Sequence, residues 1–157
     1  MRSACATLAV AVGLAACGGD AADEQRAECL STPPEEGATY AGDDVAFATG
    51  EGGALQAERV DGEFPWFAKV GLLVRGSGTV VVSVPEEAAV RIKGWGGDAF
   101  SLRTDVVIES SPSCEADWTA YPGGLVFSGR QCVRLRVEGP SGEPTSAILA
   151  LRRECPG

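Results

Sequence analysis

The sequence predicts an all-β fold, an antiparallel and immunoglobulin-like β-sandwich of about seven or eight strands. Short runs rich in valine, leucine and isoleucine recur between turns rich in glycine and proline, and no run has the period of a long helix. Several runs alternate apolar and charged residues, which indicates strands with one buried and one solvated face. A small β-barrel is the alternative arrangement of the same strands.

The first half of the chain gives a weak strand signal that strengthens near Phe64. Between Tyr40 and Gly62 the chain is rich in Gly, Asp and Glu, and it predicts only one or two irregular edge strands. Residues 66–75 and 79–84 are two apolar runs joined by Gly76-Ser77-Gly78, a pattern typical of a β-hairpin.

The second half alternates more regularly. Residues 90–93 read apolar, charged, apolar, charged, and residues 99–109 supply the next strand or pair of strands. Residues 133–137 alternate in the same way. A turn at residues 139–142 then leads into a last strand at 147–151, so the end of the chain is predicted to be a hairpin.

The N-terminal residues have the pattern of an export signal. Arg2 precedes an apolar run from Ala4 to Ala16 that is too short to span a bilayer. The stretch Leu14-Ala15-Ala16-Cys17 resembles the lipobox of bacterial lipoproteins. An ordinary secretory signal fits less well, because Leu14 would occupy a position that favours a small residue.

The lipobox resemblance implies a division of the chain and an address. Residues 1–16 would be a signal peptide, Cys17 would become the lipidated N-terminus, and residues 17–37 would form an acidic, flexible tether. Residues 38–157 are then a single β-sandwich domain. The mature protein would be extracytoplasmic and anchored to a membrane, at the outer membrane or the cell surface depending on the envelope.

Composition limits the function classes. The formal net charge is -9, so nucleic acid and anionic lipid head groups are not expected partners. The chain contains no histidine, which removes the Ser-His-Asp and Cys-His nucleophile systems and the usual zinc sites. We therefore expect no enzyme activity, no metal and no cofactor.

Four cysteines follow Cys17, and an even number in an exported domain predicts two disulfides. No two of them have C-x-x-C spacing, which argues against a redox motif or a zinc knuckle. If the last hairpin turns near Gly142, Cys155 lies four residues beyond the position opposite Cys132. This offset argues against Cys132–Cys155. Of the three possible connectivities we favour Cys114–Cys132, which closes a local loop, with Cys29–Cys155, which ties the two ends of the domain together.

The best candidate ligand-binding residues lie within the loop that follows Cys114. Trp118 and Tyr121 beside Asp117 and Glu115 would suit an aromatic platform for a carbohydrate, or a hydrolase with two carboxylates. The competing interpretation is that both aromatic rings pack into the core. Trp95 is a further candidate, since it stands between glycines and could present its indole at a loop tip.

Two further features of the sequence are weaker, a resemblance and a candidate calcium site. Residues 114–135 are similar to the C-terminal part of uncharacterised secreted proteins from GC-rich bacteria, and this resemblance implies no activity. Asp43 and Asp44 with Glu51 suggest calcium, but the D-x-D-x-D-G spacing of calcium loops is missing.

The sequence therefore predicts a lipid-anchored, non-catalytic binding or interaction module. Its partner would be an envelope protein or a glycan. The alternative is a small hydrolase that acts on cell-wall glycan through Asp117 and Glu115.

Overall fold

A computed structural model describes residues 28–30, 37–50, 54–96, 100–111 and 117–155. These residues form strands and turns without a helix, which confirms the all-β prediction. Within the same residues, no helix is long and apolar enough to cross a membrane. The strands are β1 (Glu28–Leu30), β2 (Ala38–Tyr40), β3 (Val45–Ala48), β4 (Ala54–Leu55), β5 (Ala57–Arg59), β6 (Trp66–Lys69), β7 (Gly71–Arg75), β8 (Gly78–Ser83), β9 (Val90–Gly94), β10 (Leu102–Arg103), β11 (Asp105–Ser110), β12 (Trp118–Tyr121), β13 (Gly123–Phe127), β14 (Gln131–Glu138) and β15 (Pro144–Leu151).

The strands form three open, five-stranded sheets, as expected for packed sheets rather than for the barrel alternative. Sheet I has the order β1-β12-β7-β3-β2, sheet II β10-β9-β13-β6-β5, and sheet III β11-β8-β14-β15-β4. Among the described strands every pairing is antiparallel except that of β15 with β4. The fifteen strands found in the described residues outnumber the seven or eight expected, because long strands are broken at bends and the early segment forms several short ones.

One continuous core joins the three sheets. Each sheet contributes apolar side chains with no more than about a tenth of their surface exposed, and together they form a single cluster. Such burial is what stabilises a domain of this size, at about 25 cal/mol per Å² of apolar surface. Representative members are Val45, Phe47 and Leu72 from sheet I, Ile92, Leu125 and Phe127 from sheet II, and Val82, Leu135 and Leu149 from sheet III.

Two long antiparallel strands bend together and link sheet I to sheet II. Residues 66–75 pair with residues 118–127 in one unbroken register, from Trp66 opposite Phe127 to Arg75 opposite Trp118. The bend falls at Val70, whose amide donates a 2.9 Å hydrogen bond to the carbonyl of Gly123. We call this place the corner. On one side of the corner the two paired strands are β6 and β13 of sheet II, and on the other side they continue as β7 and β12 of sheet I.

The predicted hairpin between residues 66–75 and 79–84 is wrong. β7 pairs with β3 and β12 in sheet I, whereas β8 pairs with β11 and β14 in sheet III. The link at Gly76 therefore carries the chain from one sheet to another, with a φ of 78° at that glycine. Three successive residues of β7 are buried, so β7 is covered on both faces and takes the centre of a sheet.

The region from residue 40 to 62 is more ordered than predicted. β2, β4 and β5 lie at sheet edges, as the expectation of edge strands requires. β3, however, lies inside sheet I between β2 and β7, and its first three residues are buried. An apolar four-residue strand can occupy this interior position because neighbouring strands satisfy its backbone on both sides.

The C-terminal hairpin is confirmed, but the predicted disulfides are not. Cys132 lies opposite Ala150 in the β14–β15 ladder, which is close to the predicted register. The bond nevertheless joins Cys132 to Cys155, with a Cα–Cα distance of 5.7 Å. The chain bends after β15 at Arg152, where φ is 58°, and so the offset along a straight strand does not apply. Cys29 is also disulfide-bonded, while Cys114 lies outside the described residues.

The start of the domain also differs from the prediction. β1 lies within residues 17–37, the range predicted as a tether, and it pairs with β12 at the edge of sheet I. Gly37 is held as well, since its carbonyl accepts hydrogen bonds from the amides of Thr49 and Gly50. The folded part therefore begins by Glu28, ten residues before the expected boundary. The signal peptide and Cys17 lie outside the described residues.

Candidate functional site

Trp95 lies in the corner between sheets I and II. Its indole Nε1 donates a 2.7 Å hydrogen bond to the carbonyl of Val70, and its amide donates to the carbonyl of Pro122. The side chain is completely buried, and its ring centroid lies 5.5 Å from that of Phe47. Trp95 thus binds both bent strands and is part of the core rather than an exposed platform.

The corner is closed by two glycines of β13. A Cβ atom on Gly123 would lie 2.6 Å from Cδ1 of Trp95 and 2.7 Å from the carbonyl oxygen of Lys93. A Cβ atom on Gly124 would collide with the carbonyl of Ala68 and lie 2.7 Å from Cε2 of Phe67. These two glycines permit close packing of three adjacent strands.

Trp118 and Tyr121 are three residues apart in β12 and therefore face opposite sides of sheet I. Tyr121 is 8% exposed and belongs to the main core. Trp118 is 6% exposed and forms a second, smaller cluster with Ala46 and Leu73. The ring of Tyr40 packs edge-on against Trp118, with 6.4 Å between centroids. The two candidate rings do not share one surface.

The remaining candidates around β12 are not brought together in the described part of the chain. Asp117 is exposed immediately before β12, and its backbone carbonyl accepts a hydrogen bond from the amide of Gly76. Glu115, the proposed second carboxylate, lies outside the described residues. Burial of the aromatic candidates Trp95, Trp118 and Tyr121 favours the packing interpretation of these residues over the carbohydrate platform.

Asp43 and Asp44 line an open groove between the loop before β3 and the β14–β15 turn. The groove has a volume of about 410 Å³, and Ser141 and Glu143 lie on its other side. Across the residues that the structure describes, no three His, Cys, Asp or Glu side chains could hold a metal ion together. Glu51 lies outside those residues.

Sheet II presents an outer face that collects positive charge. Strand register places Leu102 opposite Lys93, Lys93 opposite Gly124, and Gly124 opposite Lys69. Directly opposed residues share one side of a sheet, so both lysines of the chain and Leu102 are on the same face. Gly124 itself is buried between the two lysines, with the ring of Phe67 packed close against it. We call this surface the cationic face.

The neighbouring row of the cationic face mixes aromatic and charged groups. Arg91 lies opposite Val126, which in turn lies opposite Phe67, and Glu58 ends the row. The ammonium of Lys93 lies 5.6 Å from the ring centroid of Phe67. Such cation–π contacts contribute about 0.5–1 kcal/mol each at exposed sites and hold the cation over the ring.

Arg91 is fixed more firmly than the two lysines. Its guanidinium lies 5.3 Å from the ring centroid of Phe64. It also donates hydrogen bonds to the carbonyls of Ala88 and Val90. The positive charge of Arg91 therefore stays at the edge of the cationic face.

An apolar edge adjoins the cationic face. Phe100, Leu102 and Val107 are 87%, 48% and 59% exposed, and they fall within eight residues of one another. Leu102 and Val107 line an open groove of about 490 Å³, together with Arg91, Arg103 and Asp105. We call these three side chains the apolar edge. Leu102 lies in edge strand β10, Val107 lies in edge strand β11, and Phe100 precedes β10.

Sequence reasoning did not find the cationic face or the apolar edge. The alternation of residues 90–93 correctly puts Arg91 and Lys93 on a common side, because the structure buries Val90 and Ile92. That alternation does not reveal which strand lies beside β9. Lys69 and Phe67 become neighbours of this row only through pairings between distant parts of the sequence.

Comparisons with known proteins add no assignment. A scan against protein-family models found no match, and searches of the curated proteins and of the solved structures found none either.

Proposed function

We propose that the protein is a lipid-anchored, extracytoplasmic binding module that carries out no catalysis. The observation that supports export best is the state of its cysteines. Cys29, Cys132 and Cys155 are the cysteines in the described part of the chain, and all three are disulfide-bonded. Disulfides persist mainly in oxidising compartments outside the cytoplasm. This agrees with the lipobox resemblance at Cys17.

The position of β1 supports an anchor close to the domain. Eleven residue steps separate Cys17 from Glu28, where β1 begins. Eleven residues span at most roughly 40 Å when extended, which is about the diameter of a domain of this size. A lipid on Cys17 would therefore hold the folded domain next to the membrane surface.

The arrangement of polar groups supports binding through a surface. The cationic face and the apolar edge are open, and they are built on strands that the core holds in place. A rigid, open sheet face suits contact with a large partner, whereas small substrates are usually bound in enclosed pockets. Trp95 and Tyr121, two of the candidate binding residues, serve the core behind this surface.

Membrane fractionation tests the anchor. A Cys17→Ser variant has no thiol to lipidate and should leave the membrane fraction. Cys5→Ser is the matched control, because Cys5 lies within the predicted signal peptide and should not be required for anchoring. A Cys17→Ser protein that stays in the membrane through high-salt washing would contradict the anchor.

Enzyme assays test the absence of catalysis. The purified mature protein should show no turnover of glycan, peptide or ester substrates. Glu115→Gln and Asp117→Asn are the informative variants, since these carboxylates are the candidates for glycan hydrolysis. Turnover by the parent protein that disappears in either variant, with folding intact, would replace the binding module by the hydrolase.

A further inference from the structure

We propose that the apolar edge and the cationic face together dock the domain onto an anionic phospholipid membrane. The proposal rests on the lipid anchor proposed above and adds an orientation to it. Phe100 and Leu102 would enter the boundary between head groups and acyl chains. Lys93 and Lys69 would lie at the level of the phosphates.

The apolar edge has the chemistry of a membrane contact. The described residues include five large, exposed apolar side chains, and three of them form this edge: Phe100, Leu102 and Val107. Leu102 and Val107 line one groove with Arg91, and Phe100 lies two residues before Leu102. Single exposed apolar residues are common, but a group of them close to positive charge marks an interaction surface. In amphipathic helices that lie in the interface of a bilayer, aromatic and leucine side chains likewise occur together with Lys and Arg.

Cations outnumber acids in this region, whereas acids outnumber cations in the whole chain. Four cations, Lys69, Arg91, Lys93 and Arg103, stand on the cationic face or in the adjoining groove, together with the acids Glu58 and Asp105. The whole chain has 13 Lys and Arg against 22 Asp and Glu. Since the Debye length is about 8 Å at physiological ionic strength, a nearby surface responds to the local charges rather than to the net charge. The expectation from net charge that anionic head groups are not partners therefore does not extend to this surface.

The geometry lets one plane touch both kinds of side chain. Leu102 and Lys93 are direct cross-strand neighbours, and Lys69 continues the same row across Gly124. All three therefore project from sheet II in the same direction. A flat bilayer surface placed against this row meets the apolar group at one end and the cations beside it.

Because the lipid anchor already holds the domain near the membrane, a weak contact is sufficient for docking. Because the tether between Cys17 and Glu28 spans roughly 40 Å at most, the domain stays within reach of the surface. Tethering by a short linker gives effective concentrations in the millimolar range. Each cation at an anionic surface then strengthens docking by roughly fivefold.

The test uses the mature, lipidated protein reconstituted into vesicles that contain brominated lipid, which quenches tryptophan near the acyl chains. Phe100→Trp places a reporter on the apolar edge. Ile148→Trp is the matched control, because Ile148 is 40% exposed on β15 and lies outside this edge. Vesicles rich in phosphatidylglycerol are compared with vesicles of phosphatidylcholine alone.

We expect quenching in the phosphatidylglycerol vesicles to be stronger for Phe100→Trp than for the parent protein or for Ile148→Trp. Adding Lys93→Gln to Phe100→Trp should lower the docked-to-undocked ratio roughly fivefold. Adding Arg134→Gln, which changes an exposed cation on β14, should not change it. High salt should have the same effect as Lys93→Gln.

Three results would overturn the docking, and each has a distinct signature. Equal quenching of Phe100→Trp and Ile148→Trp, with the protein retained through a salt wash, would refute the docking and leave the anchor standing. A fluorescence change at position 100 that follows protein density rather than lipid charge would assign the surface to a second copy of the chain. Release of the parent protein by the wash would overturn the anchor and this inference with it.

Discussion

The indole of Trp95 donates its hydrogen bond to the carbonyl of Val70, the residue at which a long strand passes from sheet II to sheet I. A bend exposes backbone groups that neighbouring strands cannot all satisfy, and a buried carbonyl without a partner is costly. Trp95 satisfies this carbonyl and fills the space inside the bend. The relationship explains why a large aromatic residue is found between glycines.

Replacing Trp95 with Phe should destabilise the domain more than the same change elsewhere. The variant loses the bond to Val70 and part of the packing against Phe47, and we expect a cost of about 2–4 kcal/mol. Trp118→Phe is the comparison, because Trp118 belongs to the smaller cluster. Urea unfolding measures the loss of stability in each of the two variants. A larger loss for Trp118→Phe would show that the corner is not the more important site.

Gly124→Ala should prevent folding or cost more than about 3 kcal/mol, since the added methyl group collides with the Ala68 carbonyl and the Phe67 ring. Gly71→Ala is the matched control in β7. There a Cβ atom would meet only the Cβ of Ala48, at 3.5 Å. Soluble yield and thermal unfolding report the difference, and equal behaviour of the two variants would contradict the close approach of β6 and β13.

Thr119→Val should stabilise the protein by about 1 kcal/mol. The hydroxyl of Thr119 is buried without a hydrogen-bond partner, so an isosteric methyl group removes a desolvation cost. Thr49→Val provides the opposite case, because the hydroxyl of Thr49 donates to the carbonyl of Gly37 at 3.2 Å. We expect that variant to lose about 1 kcal/mol. Chemical denaturation distinguishes the two signs, and a loss of stability in Thr119→Val would refute the first.

Peptide mapping without reduction should recover Cys132 joined to Cys155. We further expect Cys29 to be joined to Cys114. Cys29 lies opposite Thr119 in the β1–β12 ladder, and Cys114 is the cysteine nearest to β12 in sequence among those outside the described residues. A peptide that links Cys114 to Cys132 would contradict both assignments.

The disulfide between Cys132 and Cys155 should also make a measurable contribution to the free energy of unfolding. These residues are 23 apart in sequence, and the chain-entropy relation gives about 3.5 kcal/mol for closing such a loop. The double variant Cys132→Ala with Cys155→Ala isolates this contribution in urea unfolding at neutral pH. An unchanged midpoint would show that the end of the chain is held by other contacts, such as that of Arg152, whose guanidinium lies 3.4 Å from the ring centroid of Trp66.

Local sequence patterns predicted the class of fold and the sidedness of individual strands. In β14 the buried Val133, Leu135 and Val137 alternate with the exposed Arg134 and Arg136, as the spacing requires. The final hairpin was equally predictable, because its strands are long and adjacent in sequence. Alternation is a property of one strand and its two faces, so these features need no knowledge of the rest of the chain.

The partners of each strand could not be predicted in the same way. Gly76-Ser77-Gly78 permits a hairpin, yet the burial of β7 on both faces draws it to the centre of sheet I and sends β8 to sheet III. The disulfide at Cys155 depends on a bend at Arg152, a residue type that rarely adopts a positive φ. The cationic face likewise exists only after β6, β9 and β13 have paired.

Sheets that combine strands from early and late parts of the chain also determine when the chain can fold. Sheet I requires β12 beside β1, and sheet III requires β15 beside β4 in the parallel pairing of Leu151 with Leu55. None of the three sheets is complete before residue 121 has been synthesised. Domains dominated by such non-local pairing fold over milliseconds to seconds. In a chain exported as proposed and threaded with its N-terminus first, none of these sheets could be completed until residue 121 had crossed the membrane.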